Sequence, residues 1–153
     1  MPQNAIAFRS PTISVATASE ALAISAEDVL SLVQDGRLRW AWNISRDGRT
    51  RQTVRIFTQS LVDYQNCQSP AITGDAEFQN VLKALFPAVG QTPSGRKVVR
   101  AATITRRLSA SRPHILRLCR DRAFVVVPNA RPTNSPEIDF ASVERFLRQR
   151  RIT

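Results

Sequence analysis

An internal repeat constrains this 153-residue chain more than any other feature of its sequence. The segment TASEALAISAEDVLSLVQDGRL, which begins at Thr17, aligns with TITRRLSASRPHILRLCRDRAF, which begins 86 positions later at Thr103. The aligned pairs include Leu22 and Leu108, Ser25 and Ser111, Val29 and Ile115, Leu32 and Leu118, and Asp35 and Asp121. A second run aligns 82 positions apart and pairs Ile56 with Ile138, Ser60 with Ser142, and Tyr64 with Phe146. A constant offset that changes once is typical of two copies of one small domain whose loops differ in length.

The repeat predicts two small domains in place of one larger one. We expect a loose arm over residues 1–13, a first domain over 14–66, a linker over 67–100 and a second domain over 101–153 with a basic C-terminal tail. Domains of about 50 residues are close to the lower limit for an unaided core. Each domain is therefore expected to be stabilised by packing against its neighbour, a linker helix or a second chain.

Capping residues and apolar spacing predict helices in both copies, and the expected fold class is α+β, mainly α. Thr17 is expected to cap a helix from about Ala18 to Ala23, and Ser25 and Ser111 to open the second helix of each copy. Pro113 falls in the first turn of that helix, where a missing N–H costs nothing. Further helices are predicted at about 59–66, 75–86 and 141–149.

Asp47 and Gly48 lie between two runs rich in β-formers and predict a hairpin. Alternation along its first strand places four apolar side chains on one face: Leu38, Trp40, Trp42 and Ile44. Two tryptophans on one face can stack on bases or pack a sheet against its helices, and the pattern favours packing.

Charge is distributed unevenly along the chain, whose net charge is +10. Residues 1–95 hold eight Lys/Arg and eight Asp/Glu, whereas residues 96–153 hold the other fourteen basic residues against four acidic ones. A basic field confined to one part of a chain is typical of a polyanion-binding surface. The alternative is a solvated basic face that only raises solubility.

The sequence offers little for catalysis, metals or membranes. His114 is the only histidine, Cys67 and Cys119 lack metal-ligand spacing and are expected to be reduced thiols, and the five glycines form no phosphate-binding loop. We therefore expect no enzyme activity, no cofactor and no metal. No apolar run approaches the roughly 20 residues that span a bilayer. The expected location is the cytoplasm, in association with the nucleoid.

The predicted order of helix, helix, hairpin and helix is the plan of a winged helix-turn-helix. The sequence ASEALAISAEDVLSLVQDGRLRW, followed by RQTVRIFTQSLVDYQ, resembles the excisionase and MerR-type winged helix-turn-helix family. RLSASRPHILRLCRDRAF, followed by VVVPNARPTNSPEIDFASVERFLRQ, is similar, although Arg122 replaces the glycine expected after the recognition helix and three prolines interrupt the wing. The resemblance implies two tandem winged helix-turn-helix domains. It also implies a DNA-binding regulator, recombination directionality factor or phage packaging subunit.

A helix of this size fits the major groove of B-DNA, which identifies candidate DNA contacts. Those in the second copy are Arg106, Arg107, Arg112, His114, Arg117, Arg120 and Arg131. Those in the first copy are Ser31 and Gln34 on its second helix and Arg46, Arg49 and Arg51 in its wing. Because Glu27 lies beside Ser31, we expect the first copy to assist through its wing while the second copy is the main reader.

The expected partner is double-stranded DNA bound sequence-specifically, with a homodimer or a protein partner engaged through the first domain or the linker helix. Two alternatives stay open. The chain could be an adaptor, such as a phage packaging or transposition subunit, whose acidic first helix pair docks a protein while the basic half holds DNA. It could also bind structured RNA.

Overall fold

Seven helices and seven strands make up the part of the chain that the computed structural model describes, residues 9–46, 52–68, 73–128 and 135–152. In the first half they are β1 (Thr12–Ser14), α1 (Val15–Leu22), α2 (Ala26–Gln34), β2 (Ala41–Asn43), β3 (Val54–Phe57), α3 (Thr58–Gln65) and α4 (Asp75–Leu85). In the second half they are β4 (Gly90–Gln91), β5 (Lys97–Arg100), α5 (Ala101–Arg107), α6 (Arg112–Arg120), β6 (Val126–Val127), β7 (Glu137–Asp139) and α7 (Phe140–Arg150). This mixed content of helix and strand is consistent with the predicted α+β class. No helix in these ranges is long and apolar enough to cross a membrane.

Apart from α4 and β4, both halves of the chain follow the order strand, helix, helix, strand, strand, helix. The first sheet has the strand order β1-β3-β2, and the second has the order β4-β5-β7-β6, with all pairs antiparallel. Removing the extra edge strand β4 leaves the same topology in both halves. Ala41 pairs with Ile56 in one sheet and Val126 pairs with Ile138 in the other. The sequence repeat is therefore also a repeat of strand order and register.

Backbone geometry shows where the two halves differ in length. Ala23 and Ser109 end the first helices with φ angles of 54° and 50°, and Gly36 and Arg122 follow the second helices with φ angles of 75° and 61°. Ala23 and Ser109 are 86 positions apart, and so are Gly36 and Arg122. Equivalent hydrogen bonds in the two hairpins give different offsets. The Trp40 carbonyl accepts from the Phe57 amide, and the Val125 carbonyl accepts from the Asp139 amide, both at 2.8 Å. Trp40 and Val125 are 85 positions apart, and Phe57 and Asp139 are 82 positions apart. The length change predicted as one step thus occurs in two, one residue before β2 and three more in the hairpin loop.

The helix starts correct one prediction and confirm two. Helix α1 begins at Val15, and the Ser14 hydroxyl accepts a hydrogen bond from the Thr17 amide at 3.2 Å. The expected cap at Thr17 was wrong because a serine three positions earlier already satisfies that amide. The caps of α2 and α6 are as predicted, since Ser25 accepts from the Asp28 amide and Ser111 from the His114 amide.

The core consists of two clusters, and the larger one crosses the repeat boundary. The smaller belongs mainly to the first half and includes Val29, Leu38, Ile56 and Leu61. The larger joins the first half's Trp40, Trp42, Ile44 and Phe57 to side chains of α4 and of the second half. Trp40 and Trp42 are 4% and 0% exposed, which confirms that they pack the core. Leu38 was predicted to share their face but lies in the smaller cluster.

The segment predicted as a linker, residues 67–100, contributes to the folded body. The apolar face of α4 packs within the chain, with Phe78, Leu82 and Leu85 in the larger cluster. Strands β4 and β5 belong to this segment too, and β5 pairs with β7 of the second half. In the second repeat β6 pairs with β7, although Pro128, Pro132 and Pro136 predicted an irregular hairpin there. Residues 47–51, which include the predicted turn at Asp47 and Gly48, and residues 129–134 lie outside the described residues.

Candidate nucleic-acid interface

Helix α6 has one buried face and one basic face. Ile115 and Leu118 are each 1% exposed and pack in the larger core cluster. Arg117 and Arg120 each follow one of them by two positions, which is about 200° around a helix with 3.6 residues per turn. Both arginines are exposed. The amphipathic pattern thus fixes the orientation of the helix and directs two guanidinium groups away from the core.

The predicted contact residues differ in how far they are exposed. The exposed group comprises Ser31 and Gln34 on α2, Arg106 on α5, and Arg112, Arg117 and Arg120 on α6. Helix α2 also exposes Glu27 and Asp28 in its first turn. The second helices of the two repeats therefore present surfaces of opposite character, acidic or neutral on α2 and basic on α6.

His114, predicted to face the groove, lies at a contact between the repeats. Its Nε2 atom lies 2.6 Å from the carbonyl oxygen of Ile44, which follows strand β2 in the first repeat. The side chain is half-buried. Because a ring nitrogen that bonds a carbonyl must act as the donor, this contact requires a proton on Nε2. His114 thus braces α6 against the base of the first wing.

Arg46, predicted as a DNA contact of the first wing, pairs with the C-terminal end of α6. Its Nε and Nη2 atoms donate to the two carboxylate oxygens of Asp121 at 2.7 and 3.0 Å. These hydrogen bonds raise the pKa of Arg46. Asp121 is the only acidic residue between Arg96 and Arg122. The pair therefore neutralises the one negative charge in the most basic stretch of the chain.

Arg107 also has a partner inside the fold. Its Nη2 atom donates to the Ala84 carbonyl at 2.8 Å, and its Nε atom donates to the Leu85 carbonyl. These carbonyls belong to the last turn of α4, where they lack partners within the helix. Arg107 therefore caps α4, whereas its neighbour Arg106 is exposed. Arg49, Arg51 and Arg131 lie outside the described residues.

A polar seam between the repeats was missed in the sequence. The Thr12 hydroxyl donates to the Arg107 carbonyl at 2.9 Å, the Ser109 hydroxyl donates to the Thr12 carbonyl at 2.9 Å, and Arg55 Nε donates to the Ser109 carbonyl at 3.0 Å. Burial lowers the pKa of Arg55. These partners lie 54 to 97 positions apart, and no local pattern predicts such contacts.

The C-terminal segment, predicted as a basic tail, contacts the first repeat. The Arg151 guanidinium lies 3.5 Å from the centre of the Trp40 ring and donates to the Arg39 carbonyl at 2.8 Å. The Ile152 amide donates to the Ala41 carbonyl at 2.9 Å. Burial is the main reason that the pKa of Arg151 is lowered. These contacts close the chain back onto strand β2.

Several exposed basic residues were not predicted as contacts, and among them are Arg9, Lys97, Arg100, Arg122 and Arg145. The count of nine basic residues against one acidic residue over positions 96–122 was the signal available for three of them. Within the described ranges, His, Cys, Asp and Glu side chains form no group that could hold a metal ion. Cys67 is exposed and Cys119 is half-buried, and both carry free thiols.

Comparison of the chain with protein-family models, curated proteins and solved structures found no match. The resemblance to the excisionase and MerR-type family rests on the sequence pattern.

Proposed function

We propose that this protein binds double-stranded DNA sequence-specifically through two tandem winged helix-turn-helix units, with α6 as the main reading helix. The observation that carries the proposal is the face of α6 opposite the core, where Arg117 and Arg120 are exposed beside Arg112 at the helix start. This face lies within the most basic stretch of the chain.

The geometry of the helix pair supports major-groove reading. Nine residues make α6 about 14 Å long, and the major groove of B-DNA is about 12 Å wide and admits a helix. An arginine fork can donate to both guanine acceptors, O6 and N7, at once. Helix α5 precedes α6 across a short turn at Ser109 and Ala110, as the first helix of a helix-turn-helix does.

The first repeat has a supporting role in this proposal. Its exposed carboxylates Glu27 and Asp28 would be repelled by phosphates at a groove. By contrast, the residues after its strand β2 contact both ends of α6. The Ile44 carbonyl bonds to His114 near the start of the helix, and Arg46 pairs with Asp121 at its end. We therefore assign the first repeat to positioning α6, with its wing available to assist on the flanking backbone.

Selection from a pool of random duplexes tests the proposal directly. The expected result is an enriched duplex that the full chain binds about 10³-fold or more tightly than random duplex at the same salt concentration. The same titration should include a structured RNA as competitor. Equal affinity for selected and random duplex would contradict sequence-specific reading, and stronger competition by the RNA would favour an RNA-binding function.

The acidic surface of the first repeat favours a second candidate, a DNA-bound adaptor of the phage packaging or transposition type. Glu20, Glu27, Asp28 and Asp35 are all exposed on or beside α1 and α2. A basic protein partner would suit this surface. In the full chain, Glu27→Lys with Asp28→Lys should then abolish partner capture while duplex binding is retained. Capture that survives both substitutions would contradict the adaptor role.

A further inference from the structure

A groove of about 440 Å³ lies beside α5. Three segments form it: the residues that precede β1, the residues that follow α4, and the exposed side of α5. Arg9, Arg106 and Arg107 line it together with Thr103, and Phe86 and Pro87 supply an apolar part of its wall. This groove brings together residues from positions that are far apart in the sequence.

The charge of the groove is positive throughout. Three of its lining residues are arginines and none is acidic. The Arg107 guanidinium is held in place by the α4 carbonyls, whereas Arg9 and Arg106 are exposed. A guanidinium that is already held in place is well suited to an anion, because it loses little conformational freedom on binding, and two exposed guanidinium groups on the same groove add charge.

The lining chemistry favours a phosphate ester over a bare anion. Guanidinium groups pair with phosphate oxygens in a bidentate manner, and hydroxyls such as that of Thr103 add further donors. The volume is within the range of small-molecule sites, about 300–1,000 Å³, and exceeds the needs of an inorganic ion. An apolar wall beside arginines can accommodate the sugar or base attached to a phosphate.

We propose that this groove binds the phosphate of a nucleotide unit. One source is a backbone phosphate of the duplex read by α6, and this source rests on the proposed function. The first helix of a helix-turn-helix crosses the DNA backbone, and Arg106 lies on that helix. The other source is a free nucleotide, whose binding does not depend on DNA recognition.

The test uses the full chain with Arg9→Gln and Arg106→Gln combined, since both side chains are exposed and neither packs the core. The control combines Arg37→Gln with Arg145→Gln, which removes the same two charges from exposed positions outside the groove. Arg107 is left intact because it caps α4. One arm titrates ADP by calorimetry, and the other measures duplex affinity across a salt series.

If the backbone supplies the phosphate, the groove variant lowers the slope of log affinity against log salt by about 2 and the control lowers it by less. If a free nucleotide is the ligand, ADP binding weakens at least about tenfold in the groove variant only. If the protein binds no duplex but binds ADP, and the groove variant loses ADP binding, the phosphate site is supported and the proposed DNA-binding function is contradicted. If the groove variant and the control behave alike in both measurements, the proposed phosphate site is contradicted.

Discussion

Arg122 adopts a left-handed backbone conformation that its counterpart in the first repeat, Gly36, adopts without a side-chain penalty. The φ angles are 61° and 75°. Each residue follows the second helix of its repeat and turns the chain toward the wing, with the Leu118 and Leu32 carbonyls accepting the returning amides. A residue with a Cβ atom is disfavoured in this region by roughly 1–2 kcal/mol.

We therefore predict that Arg122→Gly increases the free energy of unfolding by about 1 kcal/mol, because glycine removes the strain at some cost in chain entropy. Urea denaturation followed by circular dichroism measures it. The matched control is Gly36→Ala, where space is open around the added Cβ atom, so that only backbone strain acts. It should destabilise the protein by a similar amount. A loss of stability in Arg122→Gly would contradict this account.

The predicted DNA contacts show which properties of a side chain can be inferred from its neighbours in the sequence. The amphipathic pattern of α6 correctly separated its buried and exposed faces. It could not reveal that His114, Arg46 and Arg107 bond to atoms 70, 75 and 22 or 23 positions away. The local sequence around a basic residue does not show whether its side chain faces solvent or caps a distant helix.

Helix α4 is tied to the first repeat through one carboxylate. Glu77 accepts from Arg39 Nε and Nη2 at 2.9 and 2.7 Å and from Trp40 Nε1 at 2.8 Å. The side chain is buried. The hydrogen bonds from Arg39, with a further one from Trp40, lower the pKa of Glu77. The element predicted as part of a linker is thereby fixed on the loop that leads into β2.

Because the folded-state pKa of Glu77 is depressed, its ionised form stabilises the native state above the ordinary glutamate pKa of about 4.3. That contribution is lost as the pH falls through the lower, folded-state pKa. We predict that Glu77→Gln costs about 2 kcal/mol of unfolding free energy at pH 7 and progressively less below pH of about 4. Denaturation at a series of pH values measures this, with exposed Glu27→Gln as the control. A cost that does not change with pH would contradict the charge-based account.

At the level of elements, most helices and the first hairpin were predictable because caps, periodicity and turn residues are local, whereas prolines made the second hairpin doubtful from the sequence. Strands β4 and β5 were not predicted, because both lie in residues 67–100, which were interpreted as a linker. Strand β5 pairs with β7, about 40 positions away, and β4 pairs with β5 at the edge of the sheet. Sheet membership of a short strand is decided by its partner.

For the whole molecule, the shared core predicts one cooperative unfolding transition. Both tryptophans lie in the first repeat but pack in the cluster that includes α4 and the second repeat. Tryptophan fluorescence and far-ultraviolet circular dichroism should therefore give the same urea midpoint. Two independent domains on a linker would instead unfold separately, so that distinct midpoints from the two probes would contradict a shared core.

The central claim, that α6 of the second repeat is the main DNA-reading helix, is tested most directly by comparing Arg117→Ala with Ser31→Ala in a gel-shift titration on the selected duplex. Both residues are exposed on the second helix of their repeat. The account predicts that Arg117→Ala weakens specific binding by roughly 1–3 kcal/mol and that Ser31→Ala costs less. Equal losses in the two variants, or no loss in Arg117→Ala, would contradict it.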